Sequence, residues 1–113
     1  MNKVFLIGTV TKVDIFPLKN GGNSSTMTVE TVERFGNDTF KSWHTVKAFG
    51  KLEEYVEANV KENAYVCVEG RLTYHTWEDK NGSKRTDIYV SAEKMDVISQ
   101  SNQSAVEKGN EVW

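Results

Sequence analysis

The sequence predicts an all-β fold, a small barrel with one helix. Runs rich in β-branched and aromatic residues alternate with period two in five places, turn-forming residues separate them, and one stretch alone has helical spacing. The chain has 113 residues, enough for one domain around one hydrophobic core. We therefore expect a structured domain at residues 1–98 and a flexible polar tail at residues 99–113.

Three predicted strands come first. The first covers residues 4–13 and the second residues 26–35. Between them lies a predicted loop, residues 16–25, which holds the only proline and two adjacent glycines. A turn at residues 36–38 leads to the third strand at residues 40–49.

The second half begins with the predicted helix at residues 51–60, where apolar residues recur at helical spacing opposite the glutamates. The fourth strand, residues 65–77, alternates clearly, and Gly70 within it indicates a sharp bend, as at a barrel corner. Its apolar face includes Leu72 and Tyr74.

A hairpin tip with an Asn-Gly turn at residues 81–82 leads into the fifth strand at residues 85–97. Three strands, one helix and two strands follow the order of the OB-fold, a five-stranded, partly open Greek-key barrel with its helix between strands 3 and 4.

Composition limits the possible functions. The net charge of −2 argues mildly against nucleic-acid binding, but the acidic excess is concentrated in residues 51–62. No apolar run approaches a membrane span and the first residues lack a signal-peptide cleavage site, so we expect a cytoplasmic protein. Cys67 is the only cysteine, which excludes an internal disulfide, and it is expected to be a buried or interface thiol.

No catalytic, metal or cofactor site is predicted, and the chain is not expected to be an enzyme. The two histidines, His44 and His75, have no carboxylate or thiol partner implied by spacing. The helix glutamates Glu53, Glu54 and Glu57 are interpreted as a solvated face, although an acidic cluster could also hold a divalent cation.

The third strand places aromatic and cationic side chains on one face. By alternation, Trp43, Lys47 and Phe49 point one way, whereas Val46 and Ala48 suit the barrel interior. Two exposed aromatics around a cation suit single-stranded nucleic acid, because bases stack on aromatic rings and a lysine meets a phosphate. The same aromatics could instead be core or oligomer contacts.

Other candidates lie near the strand ends. Trp77 stands at the mouth of a charged hairpin, where it has little to pack on, and Phe35 beside Arg34 is a weaker fourth stacking platform. The remaining basic residues expected on the nucleic-acid path are Lys51, Arg71, Lys80, Lys84 and Arg85.

Five segments together resemble the bacterial and phage single-stranded DNA-binding protein family. They are NKVFLIG at residues 2–8, NGG at 20–22, WHTVKAFGKLEE at 43–54, VEGRL at 68–72, and WED with NG at 77–82. The likeness covers residues 1 to about 97. It implies an OB-fold that assembles as a homotetramer and wraps single-stranded DNA in replication, recombination and repair.

The resemblance also implies roles for particular residues. Trp43, Phe49 and Trp77 match family residues that stack on bases, whereas Phe35 stands where the family usually has a tryptophan. Lys51 matches a basic residue near the DNA path.

A subunit interface is expected from two sources. The first strand is apolar on both faces at its start, which predicts that Phe5 and Ile7 are covered by another subunit. His44 matches a family residue at a subunit interface.

Members of this family usually end in a long linker and an acidic tip that recruits partner enzymes. Here a tail of about fifteen residues ends in Glu111, Val112 and Trp113, which weakly resemble that tip. The resemblance therefore suggests a phage or mobile-element member with altered or absent recruitment of replication or repair proteins.

The predicted function is a protein that coats single-stranded DNA regardless of sequence. The alternative is an OB-fold adaptor of the replisome or primosome whose aromatics contact protein, and an OB-fold nuclease is a distant third. Loss of DNA binding with an intact oligomer on replacing Trp43 and Phe49 would favour the coat.

Overall fold

A computed structural model describes residues 1–100 of the chain. Its elements are the strands β1 (Val4–Pro17), β2 (Asn23–Phe35) and β3 (Asp38–Phe49), the helix α1 (Gly50–Asn59), and the strands β4 (Tyr65–Glu78) and β5 (Lys84–Ser99). The predicted order, with the helix between the third and fourth strands, is confirmed. In the described part of the chain, no helix is long and apolar enough to cross a membrane.

The strands form one closed barrel in the order β1-β2-β3-β5-β4. β1 takes part twice, since its first half pairs with β4 and its second half with β2, and a bulge between Val10 and Lys12 separates the two pairings. The closing contact between β3 and β5 is parallel and short, with Val46 opposite Val90 and Lys47 opposite Ser91. This architecture confirms the OB-fold.

The first loop is shorter than predicted. The loop prediction for residues 16–25 is wrong at both ends, because β1 continues to Pro17 and β2 already begins at Asn23. Polar residues such as Ser24 and Ser25 suggested a loop, but they pair with β1 and complete its hydrogen-bonded ladder. Pro17 ends the strand, where its missing N–H costs no ladder bond.

The core is formed by the inward-facing residues of the strands and one side of α1. Its fully buried members are Val10, Met27, Val29, Val46, Ala48, Val56, Ala64, Val66 and Val68. α1 packs against β2, β3 and β5. The predicted alternation of β3 is confirmed here, since Val46 and Ala48 are completely buried.

One helix glutamate is not solvated as predicted. Glu53 is only 2% exposed and its Oε2 accepts a hydrogen bond from Ser25 Oγ at 2.7 Å. Glu54 and Glu57 are exposed. The prediction of a wholly wet acidic face is therefore wrong at Glu53, because the start of β2 passes over this side of the helix and covers its carboxylate.

The β4–β5 hairpin extends beyond the barrel. A register shift lies between Glu69 and Gly70, at the predicted bend, and a Cβ on Gly70 would collide with the carbonyl oxygen of Ser91. Beyond this point Leu72 is 39% and Tyr74 63% exposed. Both continue the apolar face of β4, which becomes more exposed to solvent along this part of the hairpin.

Candidate nucleic-acid interface

The outward face of β3 carries the two predicted aromatics. Trp43 is 60% exposed and Phe49 is 49% exposed, with the half-buried Lys47 between them on the same face. The strand pairings carry this face across the sheet, because Lys47 lies opposite Ser91 of β5 and Ser91 lies opposite Arg71 of β4. Alternate residues of all three strands therefore share one outer surface.

Trp77 belongs to this outer surface. It is 42% exposed, lies on the side of β4 that Arg71 occupies, and pairs with Arg85 of β5. Because β5 lies between β3 and β4 in the barrel, Trp43 and Trp77 flank β5 on the same side of the sheet. The structure thus places two side chains from distant parts of the sequence on one outer surface.

Both indole N–H groups are held by carboxylates. Trp43 Nε1 donates to Glu30 Oε2 at 3.1 Å, and Glu30 is its direct partner in the β2–β3 pairing. Trp77 Nε1 donates to Asp87 Oδ2, also at 3.1 Å. These bonds lie at the ring edges, since the indole nitrogen is in the ring plane.

Lys47 rests on a tyrosine that was not predicted. Its Nζ lies 4.4 Å from the ring centroid of Tyr89, within the range of a cation–π interaction. Within residues 1–100 no carboxylate lies at ion-pair distance from Lys47. The ammonium is therefore oriented by an aromatic ring while its charge stays free to meet an anion.

Tyr89 also separates two surface clefts. One, of about 200 Å³, lies between Tyr89 and Trp43. The other, of about 370 Å³, is bounded by Tyr89, Lys47 and Phe16. Phe16 is half exposed and lies in the same row of the sheet as Phe49, with Ser24 between them. We call the outer surface formed by Phe16, Trp43, Lys47, Phe49, Trp77 and Tyr89 the stacking face.

The sequence offered weak signals for the two additional aromatics. Phe16 lay in a segment predicted to be a loop. Tyr89 follows Ile88, so alternation alone did not show which of them faces outward. The parallel pairing of β3 with β5 decides between them, and a local pattern does not reveal this pairing.

Phe35 is not brought to the stacking face. It pairs with Asp38 and lies one residue out of phase with the Glu30–Trp43 pair, on the opposite side of the β2–β3 hairpin. Its ring makes an edge-to-face contact with Phe40, with centroids 5.6 Å apart. Arg34, its neighbour, shares the side of the hairpin on which Trp43 lies.

The predicted basic residues differ in whether a carboxylate of the protein already pairs with them. Arg85 Nε lies 3.1 Å from Asp79 Oδ2, and this contact, together with the backbone N–H groups of Ser83 and Asn81, holds the pKa of Asp79 below its usual value. Within residues 1–100 the basic side chains with no carboxylate at ion-pair distance include Arg34, Lys51, Arg71, Lys80 and Lys84.

The residues predicted at a subunit interface lie outside the stacking face. Phe5 and Ile7 are 67% and 54% exposed on the outer side of β1, with Ile7 opposite the half-buried Cys67. His44 faces the barrel side of β3, where its Nε2 is hydrogen bonded to Thr31 Oγ1 at 2.8 Å. His44 is therefore not part of the surface that contains Phe5 and Ile7.

Two further predictions concern the C-terminal tail and a possible metal site. Glu111, Val112 and Trp113 lie outside the described residues. In residues 1–100, no three His, Cys, Asp or Glu side chains are grouped to hold a metal ion.

A closed five-stranded OB barrel whose outer surface carries exposed aromatic rings, and a lysine without a carboxylate partner in residues 1–100, is typical of single-stranded nucleic-acid-binding domains. Residues 1–98 match the model of the single-strand binding protein family. The chain therefore belongs to that family.

Several curated relatives are similar over most of the chain. Single-stranded DNA-binding protein 1 of Xylella fastidiosa (strain 9a5c) is 33% identical over 105 residues, which cover 87% of this chain and 77% of that protein. The single-stranded DNA-binding proteins of Helicobacter hepaticus and Wolinella succinogenes are each 28% identical over 103 residues. This chain spans only 61% and 64% of their lengths, respectively.

Proposed function

We propose that the domain at residues 1–98 coats single-stranded DNA without reading its sequence, by stacking bases on the stacking face. The chain binds single-stranded DNA as a member of its family and is not an enzyme. The proposed DNA path rests on the position of Trp43 and Trp77 on either side of β5. Lys47 of β3 lies on the same outer surface, with its ammonium over the ring of Tyr89.

The chemistry of this face explains why binding would tolerate any sequence. Every base has a π-face, and each stacked base contributes about 1–3 kcal/mol on an aromatic ring. Reading a base requires hydrogen bonds to its edge, whereas Trp43 and Trp77 already use their N–H groups within the protein. Lys47 adds a contact to phosphate, so backbone and base are held together.

The charge of the chain sets the balance between stacking and ion pairing. Counterions are released from DNA only where a cation such as Lys47 meets a phosphate, and the net charge of −2 adds no long-range attraction to the polyanion. Stacking therefore supplies a large share of the affinity, and the salt dependence is shallower than that of a strongly basic domain.

A second part of the proposal is a homo-oligomer, with a tetramer as the expected state. The support is the exposed pair Phe5 and Ile7 on β1, which a lone subunit leaves in water. His44 is proposed to reach a neighbouring subunit from the other side of β3. We also propose action in replication, recombination and repair in the cytoplasm, with Glu111, Val112 and Trp113 as a candidate contact for partner proteins.

The test is a fluorescence titration with oligo(dT) and with duplex DNA of equal length. We expect oligo(dT) to quench tryptophan emission at concentrations where the duplex does not. Preference for the duplex, or unchanged emission at saturation, would contradict the proposal. The family match favours DNA binding over the adaptor role, in which the aromatic residues would contact protein.

A further inference from the structure

Each of the two described tryptophans donates its indole N–H to a carboxylate on the neighbouring strand. Glu30 faces Trp43 directly across the β2–β3 pairing. Asp87 is a diagonal neighbour of Trp77 in the β4–β5 hairpin, since Trp77 pairs with Arg85, two residues before Asp87. The same arrangement thus occurs on two hairpins that are far apart in the sequence.

These carboxylates are unfavourable to DNA binding if only charge is considered. Both lie on the side of the sheet that carries the stacking face, where they repel phosphates. Glu30 Oε1 is 3.9 Å from Lys41 Nζ, a partly exposed and weak pair. Asp87 has no ion pair within residues 1–100. We therefore expect a favourable contribution of Glu30 and Asp87 that offsets their repulsion of phosphates.

The hydrogen bonds provide that role by fixing the rings. An exposed indole samples several rotamers, and ordering it on binding costs conformational entropy. A hydrogen bond to an ionised acceptor is about twice as strong as one between neutral groups, so a carboxylate orders the ring better than an amide. Because the bond is made at the ring edge, it leaves the outer π-face open to a base.

We propose that Glu30 and Asp87 are positioning residues, which hold Trp43 and Trp77 in the orientation that stacks on bases. The inference rests on the proposed stacking function and adds two acidic residues to it. Their negative charge lowers the attraction to phosphate, and the ordered rings compensate for that loss.

The test uses the full chain with Trp43 as its only tryptophan, obtained by W77F and W113F. In this background E30A and E30Q both remove the charge, but only E30Q keeps an acceptor for the indole N–H. We expect E30A to bind oligo(dT) about two- to tenfold more weakly than E30Q, the cost of ordering one side chain. The emission anisotropy of unbound Trp43 should also be lower in E30A than in E30Q.

A matched control is available on the same strand. Glu33 is exposed and pairs with Phe40 on the opposite side of the β2–β3 hairpin, so E33A and E33Q should bind equally. D87A and D87N, in a background with Trp77 alone, repeat the test on the second hairpin.

Equal affinity and equal anisotropy for E30A and E30Q, with Trp43 quenched normally by DNA, would overturn the positioning role alone. If Trp43 is not quenched in the parent single-tryptophan protein, the stacking function itself fails, and the positioning role fails with it.

Discussion

The barrel exposes two apolar outer surfaces that differ in chemistry. The stacking face consists mainly of aromatic rings around Lys47, whose ammonium has no carboxylate partner in the described residues. The second surface, which we call the β1 face, consists of Phe5, Ile7 and the half-buried Cys67.

Charge pairing separates the two surfaces. Beside the β1 face, Lys3 Nζ bridges Glu93 at 2.8 Å and Glu69 at 3.5 Å, so its charge is already compensated within the protein. An unpaired cation among rings suits a polyanion, whereas an apolar patch with balanced charges suits another protein surface. The contrast supports the proposal that DNA binds one surface and a second subunit the other.

The largest expected effect comes from removing two rings of the stacking face. Replacing Trp43 and Phe49 together with alanine should weaken oligo(dT) binding about thirtyfold or more, at about 1–3 kcal/mol for each lost base contact. Fluorescence anisotropy of labelled oligo(dT) measures the affinity. Light scattering should give an unchanged oligomeric mass, and dissociation of the oligomer with unchanged DNA affinity per subunit would reverse the assignment.

A smaller effect is expected at the β1 face. Ile7→Ala should weaken subunit association, because burying a large aliphatic side chain contributes about 1.5–3 kcal/mol. Sedimentation at falling protein concentration measures this. Val32, which has the same exposed fraction of 54%, lies outside the β1 face, and Val32→Ala serves as the matched control. Equal dissociation of both variants would remove the special role of this face.

A more modest change tests how Lys47 is held. Tyr89→Ala should weaken oligo(dT) binding about two- to fivefold, since an exposed cation–π contact is worth about 0.5–1 kcal/mol. Tyr89→Phe keeps the ring and should bind as the parent does. Lys47→Ala should lower the slope of log affinity against log salt by about one. A loss of affinity in Tyr89→Phe equal to that in Tyr89→Ala would show that the hydroxyl, not the ring, matters.

The smallest effect concerns the charges beside the β1 face. The hydrogen bond to Glu93 raises the pKa of Lys3, and Lys3 lowers the pKa of Glu93. We therefore expect the pair to stabilise the fold slightly from about pH 5 to pH 10, and this contribution to be lost in acid as Glu93 is protonated and in base as Lys3 is deprotonated.

Thermal melts across pH check this prediction. Glu93→Gln should lower the melting temperature slightly at neutral pH and low salt, and the difference should vanish in acid or in high salt. Glu62→Gln, at an exposed carboxylate without an ion pair in residues 1–100, is the control. A difference that persists in acid would exclude the ion pair as its cause.

The sequence predicted those features that depend on local alternation. The outward position of Trp43 and Phe49 follows from the period of β3, because Val46 and Ala48 between them are small and apolar and suit the core. The order of strands and helix was enough to predict the OB-fold.

Features that depend on distant pairings could not be predicted. Tyr89 reaches Lys47 through the parallel contact of β3 with β5, and Phe35 lies away from Trp43 through the register of the β2–β3 hairpin. Glu53 is buried because the start of β2 covers it. In each case a residue on another strand determines the position or burial of the side chain, and the local sequence pattern does not reveal that residue.

The most direct test of the account compares two single-tryptophan proteins. One keeps Trp43 (W77F with W113F) and the other keeps Trp77 (W43F with W113F), and each is titrated with oligo(dT) at several salt concentrations. If the stacking face is one continuous DNA path, both tryptophans are quenched with the same midpoint and a shallow salt dependence. Quenching of only one, or of neither, would contradict a path that runs from β3 across β5 to the β4–β5 hairpin.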